Sequence, residues 1–323
     1  MEKRFIVENF QWERHQNQMD ELWLGISNKY PGGMYWSYDP NFCSWDNTFV
    51  LLDMKGNKEN GIGKVIGKAQ VKYYHKLEDT VPMDVVQRII YHYRVLPEYE
   101  EIPEALELLF ETIEKRAKEL VKEVIPGRKS VLCQSCTDEE EFYIKHIQAK
   151  GYAERTGYYC MSVKKDEEVI DEMPILNGIE IREITKQFSD YKVPILCLDH
   201  QCFFDDAMSE DEFEELAQED NLIVYGAFAV NELVGLGIGA RNQLEDDSPE
   251  VVSLNVSSHY RRMGVARTLV TILLVELKKC EAQEIVLAVK NDNEPAINLY
   301  RSLGFVEYRN ERMFGKELCE NSK

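Results

Sequence analysis

The chain has 323 residues, 44% of them hydrophobic, and carries 38 Lys and Arg against 58 Asp and Glu, a formal net charge of −20. This length suits two domains, because single domains run to about 100–200 residues. The acid excess disfavours binding to nucleic acid, and no apolar run approaches the roughly 18 residues that span a bilayer. The amino-terminal MEKRFIVENF turns polar after three apolar residues, unlike a signal peptide, so we expect a cytoplasmic protein without membrane contact.

The first half alternates strand and helix patterns in a definite order. Period-2 alternation predicts strands, and apolar residues at helical spacing predict helices. The order is strand, helix, three strands, helix, strand, helix. The segments are RFIVENF, RHQNQMDELWLGIS, NTFVLLD, GKVIGKAQVKYY, VQRIIYHYRV, PEALELLFETIEKRAKELVKEV, SVLCQS and DEEEFYIKHIQAKG.

A charged stretch separates the two halves. Residues 164–178, KKDEEVIDEMPILNG, are interrupted by Pro174 and Gly178, a composition typical of a linker. We therefore predict domains over 1–168 and 179–323, joined by residues 169–178.

The second half predicts strand, two helices, three strands, helix, strand, helix and a closing strand region. The segments are IEIREI, KQFSDYKVPILCLDH, SEDEFEELAQED, NLIVYGAFAV, ELVGLGIGA, EVVSLNV, MGVARTLVTILLVELKKC, EIVLAV, EPAINLYRSLG and FVEYRNERMF. This order repeats that of the first half, and the residues align as well. Val95-x-Pro97-x-Tyr99 matches the pattern at 256–260 with an offset of 161, and Gly151-Tyr152 matches Gly304-Phe305 with an offset of 153. We interpret the chain as an internal duplication.

Metal binding is not predicted. Cys133 and Cys136 form one C-x-x-C, but no second pair of Cys or His ligands stands at a suitable spacing. We interpret the two thiols as residues near a buried strand.

The segment RRMGVA, residues 261–266, follows a predicted strand and opens a helix. Main-chain N–H groups at a helix N-terminus bind anionic groups, Gly264 allows close approach, and arginines add charged hydrogen bonds. The pattern predicts a phosphate-binding turn.

Residues 179–316 resemble a domain of the Gcn5-related N-acetyltransferase (GNAT) family. The family's acyl-CoA motif, Q/R-x-x-G-x-G/A, is matched by RRMGVA, and its second motif, N-x-x-A-x-x-L-Y-x-x-x-G-F, is matched from Asn293 through Tyr300 to Phe305. The resemblance implies a mixed α/β fold, here two tandem GNAT-like domains, and acetyl-CoA as co-substrate.

The resemblance also implies residue roles. Main-chain groups of a splayed strand would bind the pantetheine arm, the turn would bind the pyrophosphate, Asn293 would contact the cofactor, and Tyr300 would protonate the departing thiolate. The implied cofactor residues are Leu254, Asn255, Val256, Arg261, Arg262, Met263, Gly264, Val265, Ala266, Arg267, Asn293 and Tyr300. An alternative for Tyr300 is simple packing on the sheet, and for Arg267 an ion pair with a carboxylate.

Glu250 is the candidate general base, because the attacking amine must be neutral. Counting by two along the strand puts it on one face with Leu254 and Val256. The alternatives are a solvated strand end, or Asp205 or Asp206 as the base.

The first copy lacks these motifs. Glu100, Glu101 and Pro103 stand where the second copy has Arg261, Arg262 and Gly264, and proline has no N–H to offer a phosphate. At the second motif, Glu140 replaces Asn293 and Ile147 replaces Tyr300. We predict a degenerate copy that does not bind CoA in the usual way.

The segment that the GNAT resemblance places beside the acceptor entrance is acidic and aromatic. Ten acids and no Lys or Arg occur between Asp199 and Asp220, and Phe203, Phe204, Asp205 and Asp206 are the candidate substrate residues. Such a cluster attracts cations, so we expect a small cationic amine or a basic peptide. A solvated helix face is the alternative. The aromatic stretch 30–45 is a second candidate lining, or else a structural cluster.

The sequence thus favours an acetyltransferase acting by direct attack in a ternary complex, as a monomer or homodimer. The first alternative is a module that senses acetyl-CoA without turnover. An aminoacyl-tRNA-dependent transferase would require a basic surface, and a mycothiol-synthase-like enzyme shares only the tandem architecture.

Overall fold

The computed structural model describes residues 3–31, 43–55, 63–77, 81–166, 174, 176–204, 207–241 and 248–318. The chain divides into two compact units, one of Met1–Gly157 with Glu311–Lys323 and one of Tyr158–Asn310. In the described residues, no helix is long and apolar enough to cross a bilayer.

The first unit has the predicted order of elements as far as its last helix, and it adds a closing strand that the sequence pattern does not predict. Its bounds are β1 Phe5–Asn9, α1 Trp12–His15, α2 Met19–Ser27, β2 Thr48–Asp53, β3 Lys64–Tyr73, β4 Gln87–Val95, α3 Pro103–Val121, β5 Ser130–Thr137, α4 Glu141–Ala149 and β6 Ala153–Lys164. The predicted first helix is interrupted by a 3-10 turn at Gln16–Gln18. Strands β1 to β4 pair antiparallel in sequence order, and β4 pairs with β5 in parallel.

The second unit also follows the predicted order. Its bounds are β7 Ile179–Glu183, α5 Lys192–Phe203, α6 Glu210–Leu216, β8 Leu222–Ala229, β9 Glu232–Ala240, β10 Glu250–Val256, α7 Val265–Leu277, β11 Glu284–Lys290 and α8 Glu294–Arg301. Strands β7 to β10 pair antiparallel, and β10 meets β11 in parallel. The predicted closing strands form one strand, β12 Val306–Leu318.

The last strand of each copy is divided between the units. The second part of β6, from Tyr158, pairs with β11, and the end of β12, from Glu311, pairs with β5. The predicted domains are continuous in sequence, ending at 168 and beginning at 179. In the structure, residues 158–168 belong to the second unit and residues from 311 belong to the first. Two strands of similar alternation can satisfy either neighbouring edge, so local pattern does not indicate the partner.

Helix α7 packs closely on the second sheet because one face of β9 is glycine. A Cβ at Gly235 would lie 2.9 Å from Val265 Cγ1, and Cβ atoms at Gly237 and Gly239 would lie 3.1 and 3.3 Å from leucines of α7. The apolar face of α7 thus lies directly on the strand that neighbours β10.

Cys133 and Cys136 are buried free thiols on β5, in agreement with the structural interpretation.

Candidate functional site

The site begins where β10 and β11 separate. The two strands pair where Glu250 lies opposite Val286, and there Val286 N donates to Pro249 O at 2.9 Å. On its other edge β10 remains paired with β9 through Val256. The main-chain groups of β10 beyond Glu250 therefore border an opening between the two strands.

The direction of these groups follows from the register with β9. Ser257 N donates to Val234 O at 2.9 Å, which makes this a hydrogen-bonded pair of the ladder. Alternation then directs the N–H and C=O of Leu254 and Val256 into the opening, and those of Asn255 toward β9. Three residues are expected to bind pantetheine through the main chain. Of these, Asn255 has its main-chain N–H and C=O directed away from the opening.

A β-bulge at Val252 interrupts the strand, between Val251 and Ser253. Before the bulge, Glu250 lies opposite Ala240, and beyond it Asn255 lies opposite Leu236; Ala240 and Leu236 belong to the cluster packed with α5 and α6.

The remaining residues of β10 face the other helix. Val251, Leu254 and Val256 lie opposite the three glycines of β9 that face α7. The prediction that Glu250 shares a face with Leu254 and Val256 is therefore wrong, because counting by two ignores the extra residue of the bulge.

Glu250 is half-buried on the α5 and α6 face, and burial raises the pKa of its carboxyl above the ordinary value. A raised pKa makes a carboxylate a stronger base while it remains ionised at neutral pH. The described residues offer its carboxylate no ion pair or hydrogen bond.

The turn after β10 has an unusual backbone. Arg262 has φ +62° and Gly264 has φ +90°, so two left-handed residues flank Met263 before α7 begins at Val265. Turns of this kind direct successive N–H groups to one point and bind anions, as does the helix N-terminus that follows. A Cβ at Gly264 would also lie 2.5 Å from the Cβ of Pro174. Glycine is therefore required both by the positive φ and by the lack of space for a side chain.

The three arginines of the turn separate into different roles. Arg261 Nε donates to Val256 O at 3.0 Å, and Arg267 donates to Ser302 Oγ at 2.6 Å. Arg267 therefore bonds a hydroxyl rather than a carboxylate. Arg262 is exposed and makes no ion pair with the described residues, which leaves its guanidinium available to an anion at the turn.

Tyr300 lies on the face of the sheet that α7 covers. It is 6% exposed in a cluster with Val251 and Phe305, and its ring meets Phe305 edge-on at 5.7 Å. Burial raises its pKa to about 12, so the hydroxyl keeps its proton at neutral pH. Tyr300 and Glu250 thus lie on opposite faces of the sheet.

Asn293 caps α8 instead of standing free. Its Oδ1 accepts from Ala296 N at 3.3 Å, and the side chain is exposed. The amide nitrogen remains the part that could meet a cofactor.

Phe203 and Phe204 end α5. Phe204 is 60% exposed and has φ +43°. Asp205 and Asp206 lie outside the described residues, as does most of the aromatic stretch 30–45. The acidic helix α6 is partly neutralised, since Lys192 contacts Glu210 at 3.0 Å and Glu214 at 2.7 Å.

One residue of this region was misjudged from the sequence. Asp199, counted with the surface acids, is 3% exposed and accepts from Asn255 Nδ2 at 2.8 Å. Its position one residue after Leu198 and four after Ile195, on the apolar stripe of α5, was the signal for burial.

The equivalent region of the first unit is filled by its own side chains. Arg94 and Glu140, at the positions of Asn255 and Asn293, form an ion pair of 2.6 Å with both side chains 1% exposed. Glu140 also accepts from Thr137 N at 2.9 Å.

Two tyrosines complete this filling. Tyr143 Oη accepts from Val95 N at 3.0 Å, and Val95 corresponds to Val256. Tyr30 Oη donates at 2.9 Å to Glu100, which stands at the position of Arg261 and is 4% exposed. The main chain that the second unit leaves open is therefore already bonded in the first.

Comparison with known proteins agrees with this geometry. Residues 191–305 match the model of the acetyltransferase (GNAT) family. A 60-residue segment is 42% identical to an N-alpha-acetyltransferase of Sulfurisphaera tokodaii, covering 18% of this chain and 36% of that protein. A 67-residue segment is 39% identical to N-alpha-acetyltransferase 30 of Saccharomyces cerevisiae, covering 21% of this chain and 37% of that protein. The matches thus span little more than a third of these relatives.

Two solved structures resemble nearly the whole chain. A GCN5-related N-acetyltransferase from Sphaerobacter thermophilus aligns with a TM-score of 0.69 and 13% identity, covering 98% of this chain and 96% of that one. A tandem GNAT protein from the clavulanic acid biosynthesis pathway aligns with a TM-score of 0.63 and 14% identity, covering 98% and 100%. At this identity the likeness shows the fold, which is GNAT-like in both units.

Proposed function

Since the second unit carries a domain of the GNAT family, we propose that it transfers an acetyl group from acetyl-CoA to a primary amine by direct attack in a ternary complex. The observation that carries the proposal is the opening between β10 and β11. There the main chain of Leu254 and Val256 is directed into the opening, and a left-handed turn at the N-terminus of α7 follows the strand.

In this proposal the turn at 262–266 holds the pyrophosphate, with Arg262 as its cation, and the main chain of β10 bonds the pantetheine arm. Val256 contributes chiefly its N–H, because its carbonyl already accepts from Arg261. Acetyl-CoA binds in the second unit only, since the equivalent main chain of the first unit bonds Tyr143.

The chemistry requires one base and one acid. Glu250 takes the proton of the amine, directly or through a water, and the nitrogen attacks the thioester carbonyl. The new C–N bond forms, the C–S bond breaks, and the hydroxyl of Tyr300 protonates the leaving thiolate. The two groups approach the opening from opposite faces of the sheet, so acceptor and donor need not compete for space.

For the acceptor, we propose the α-amino group of a basic peptide. The names of the relatives support an α-amine, and the acid-rich stretch 205–220 supports a cationic acceptor. Polyamines and other small cationic amines are the second candidate.

A panel of amines tests the proposal by release of free thiol from acetyl-CoA. Basic peptides with free amino termini should turn over faster than matched acidic peptides, and the difference should shrink between 0.01 and 0.1 M salt as the screening length falls from roughly 30 to 10 Å. Amino-terminally blocked peptides are the control. Acetyl-CoA binding without thiol release for any amine would favour the sensing module instead.

A further inference from the structure

A carboxylate interrupts the apolar stripe of α5 that lies on the second sheet. The stripe consists of Ile195, Leu198, Asp199 and Cys202, and Asp199 is 3% exposed. Burying such a group costs free energy unless both oxygens find donors. The hydrogen bonds of Asp199 must therefore offset the free-energy cost of burying its carboxylate.

Both oxygens of Asp199 are engaged, each with a different part of the chain. Oδ1 accepts from Asn255 Nδ2 at 2.8 Å, and Oδ2 accepts from the main-chain N of Met208 at 2.6 Å. Asn255 is 1% exposed, and its Oδ1 accepts from Ser253 Oγ at 3.0 Å. One buried carboxylate thus joins the strand of the site to the connection between α5 and α6.

The described residues on either side of this connection have defined local geometry. Ser209 caps α6 in a capping box with Glu212, one residue after Met208. At the other end Phe204 holds φ +43°, a conformation that a non-glycine residue keeps only when its surroundings determine it. The Asp199–Met208 bond ties the residue before the cap of α6 to α5, and the Asp199–Asn255 bond ties α5 to β10.

We propose that Asp199 is a positioning residue for the acceptor: it holds Met208 and the start of α6 in register with β10, so that the amine meets the thioester in line. This inference rests on the proposed function and adds to that function the residue that orients the acceptor. Asp199 is not the base, because both of its oxygens are occupied by protein donors.

An exchange of the two side chains tests the assignment. Asn255→Asp alone sets two buried carboxylates against each other and should lower kcat/KM for the acceptor on the order of 100-fold, chiefly through KM, as expected for a displaced substrate. Adding Asp199→Asn restores the pattern of donors: the amide at 199 donates to the carboxylate at 255 and its oxygen accepts from Met208 N. The double variant should recover most of the loss.

Two measurements distinguish a loss of acceptor positioning from a general loss of stability. The Kd for acetyl-CoA should stay within a few-fold in all these variants. Thr185→Val is the matched control, because Thr185 Oγ1 accepts from Val224 N at 2.9 Å in the same unit, and among the described residues it bonds none of β10. It should lower stability without raising the acceptor KM.

Amide hydrogen exchange at Met208 tests the same inference without turnover. Exchange should accelerate in Asn255→Asp and return toward wild type in the double variant. Unchanged exchange, an equal rise in KM for Thr185→Val, or a double variant no better than Asn255→Asp would overturn the inference. Absence of turnover in the wild type, with the exchange pattern as expected, would reject only the proposed function.

Discussion

Arg94 Nε donates to Glu140 Oε1 at 2.6 Å within the first unit, and both side chains are 1% exposed. The guanidinium also lies 4.2 Å from the ring centre of Tyr143, whose hydroxyl bonds Val95. In the second unit the corresponding strand end is open. In the first unit this buried ion pair fills the strand end, so we expect the stability of the unit to depend on it.

Glu140→Ala should destabilise the first unit by about 3–5 kcal/mol, because it leaves the Arg94 charge buried without its partner. Urea unfolding followed by a signal from the first unit, where all four tryptophans of the chain lie, measures the loss. Glu141→Ala removes a neighbouring carboxylate that pairs with Lys145 on the exposed surface, and should change little. Equal effects of the two variants would contradict the assigned importance of the buried pair.

Restoring the turn in the first unit should not create a second acyl-CoA site. Glu101→Arg with Pro103→Gly returns a cation and an N–H to the turn, but Tyr143 still occupies the main chain of Val95. Calorimetry should give one site per chain in both wild type and this variant. A second site of comparable affinity would show that the sequence of the turn, rather than the filled strand end, decides binding.

Glu250→Gln should remove most activity without loss of stability. The folded-state pKa of Glu250 is raised by burial, so the folded protein holds this proton to higher pH than the unfolded chain does. Stability from this group is present below the unfolded pKa and is lost as pH rises through the folded pKa. At neutral pH the charged carboxylate therefore opposes folding, and glutamine should leave the free energy of unfolding equal or higher.

The pH dependence of kcat/KM gives the second half of this test. The wild type should lose activity on the acid side with an apparent pKa above the ordinary value for glutamate, and Glu250→Gln should lack that limb. If Glu250→Gln keeps wild-type kcat, Glu250 is not the general base, and Asp205 and Asp206 become the next candidates for that role.

Arg262→Ala should weaken acetyl-CoA binding on the order of tenfold and reduce its salt dependence, because a charged hydrogen bond to phosphate is lost. Arg267→Ala removes an equal charge within the first turn of α7, where Arg267 already bonds Ser302, and should cost less. Calorimetry at two salt concentrations distinguishes the two. An equal loss from both would mean that only the overall charge of the turn matters.

The sequence predicts the order of elements, except for the strand β6, because the other strands and helices have a clear period. It predicts the turn because Gly264 and the flanking arginines stand together. It does not reveal the bulge, since Val252 is one of two adjacent valines in an otherwise regular strand pattern. It also assigns Arg261 to phosphate, whereas the side chain reaches back to Val256 O. Such contacts depend on tertiary placement, which a one-dimensional pattern does not contain.

The central claim is that the second unit moves an acetyl group from its bound acetyl-CoA to an amine. The most direct test preloads the protein with acetyl-CoA, adds a basic peptide with a free amino terminus, and follows acetylated peptide by mass spectrometry over a single turnover. The wild type should form one acetylated peptide per chain, Tyr300→Phe should do so about 10²–10⁴-fold more slowly, and Gly264→Pro should bind no acetyl-CoA. Acetyl-CoA that stays bound and intact beside every amine offered, or full single-turnover rates in Tyr300→Phe and Gly264→Pro, would contradict the account.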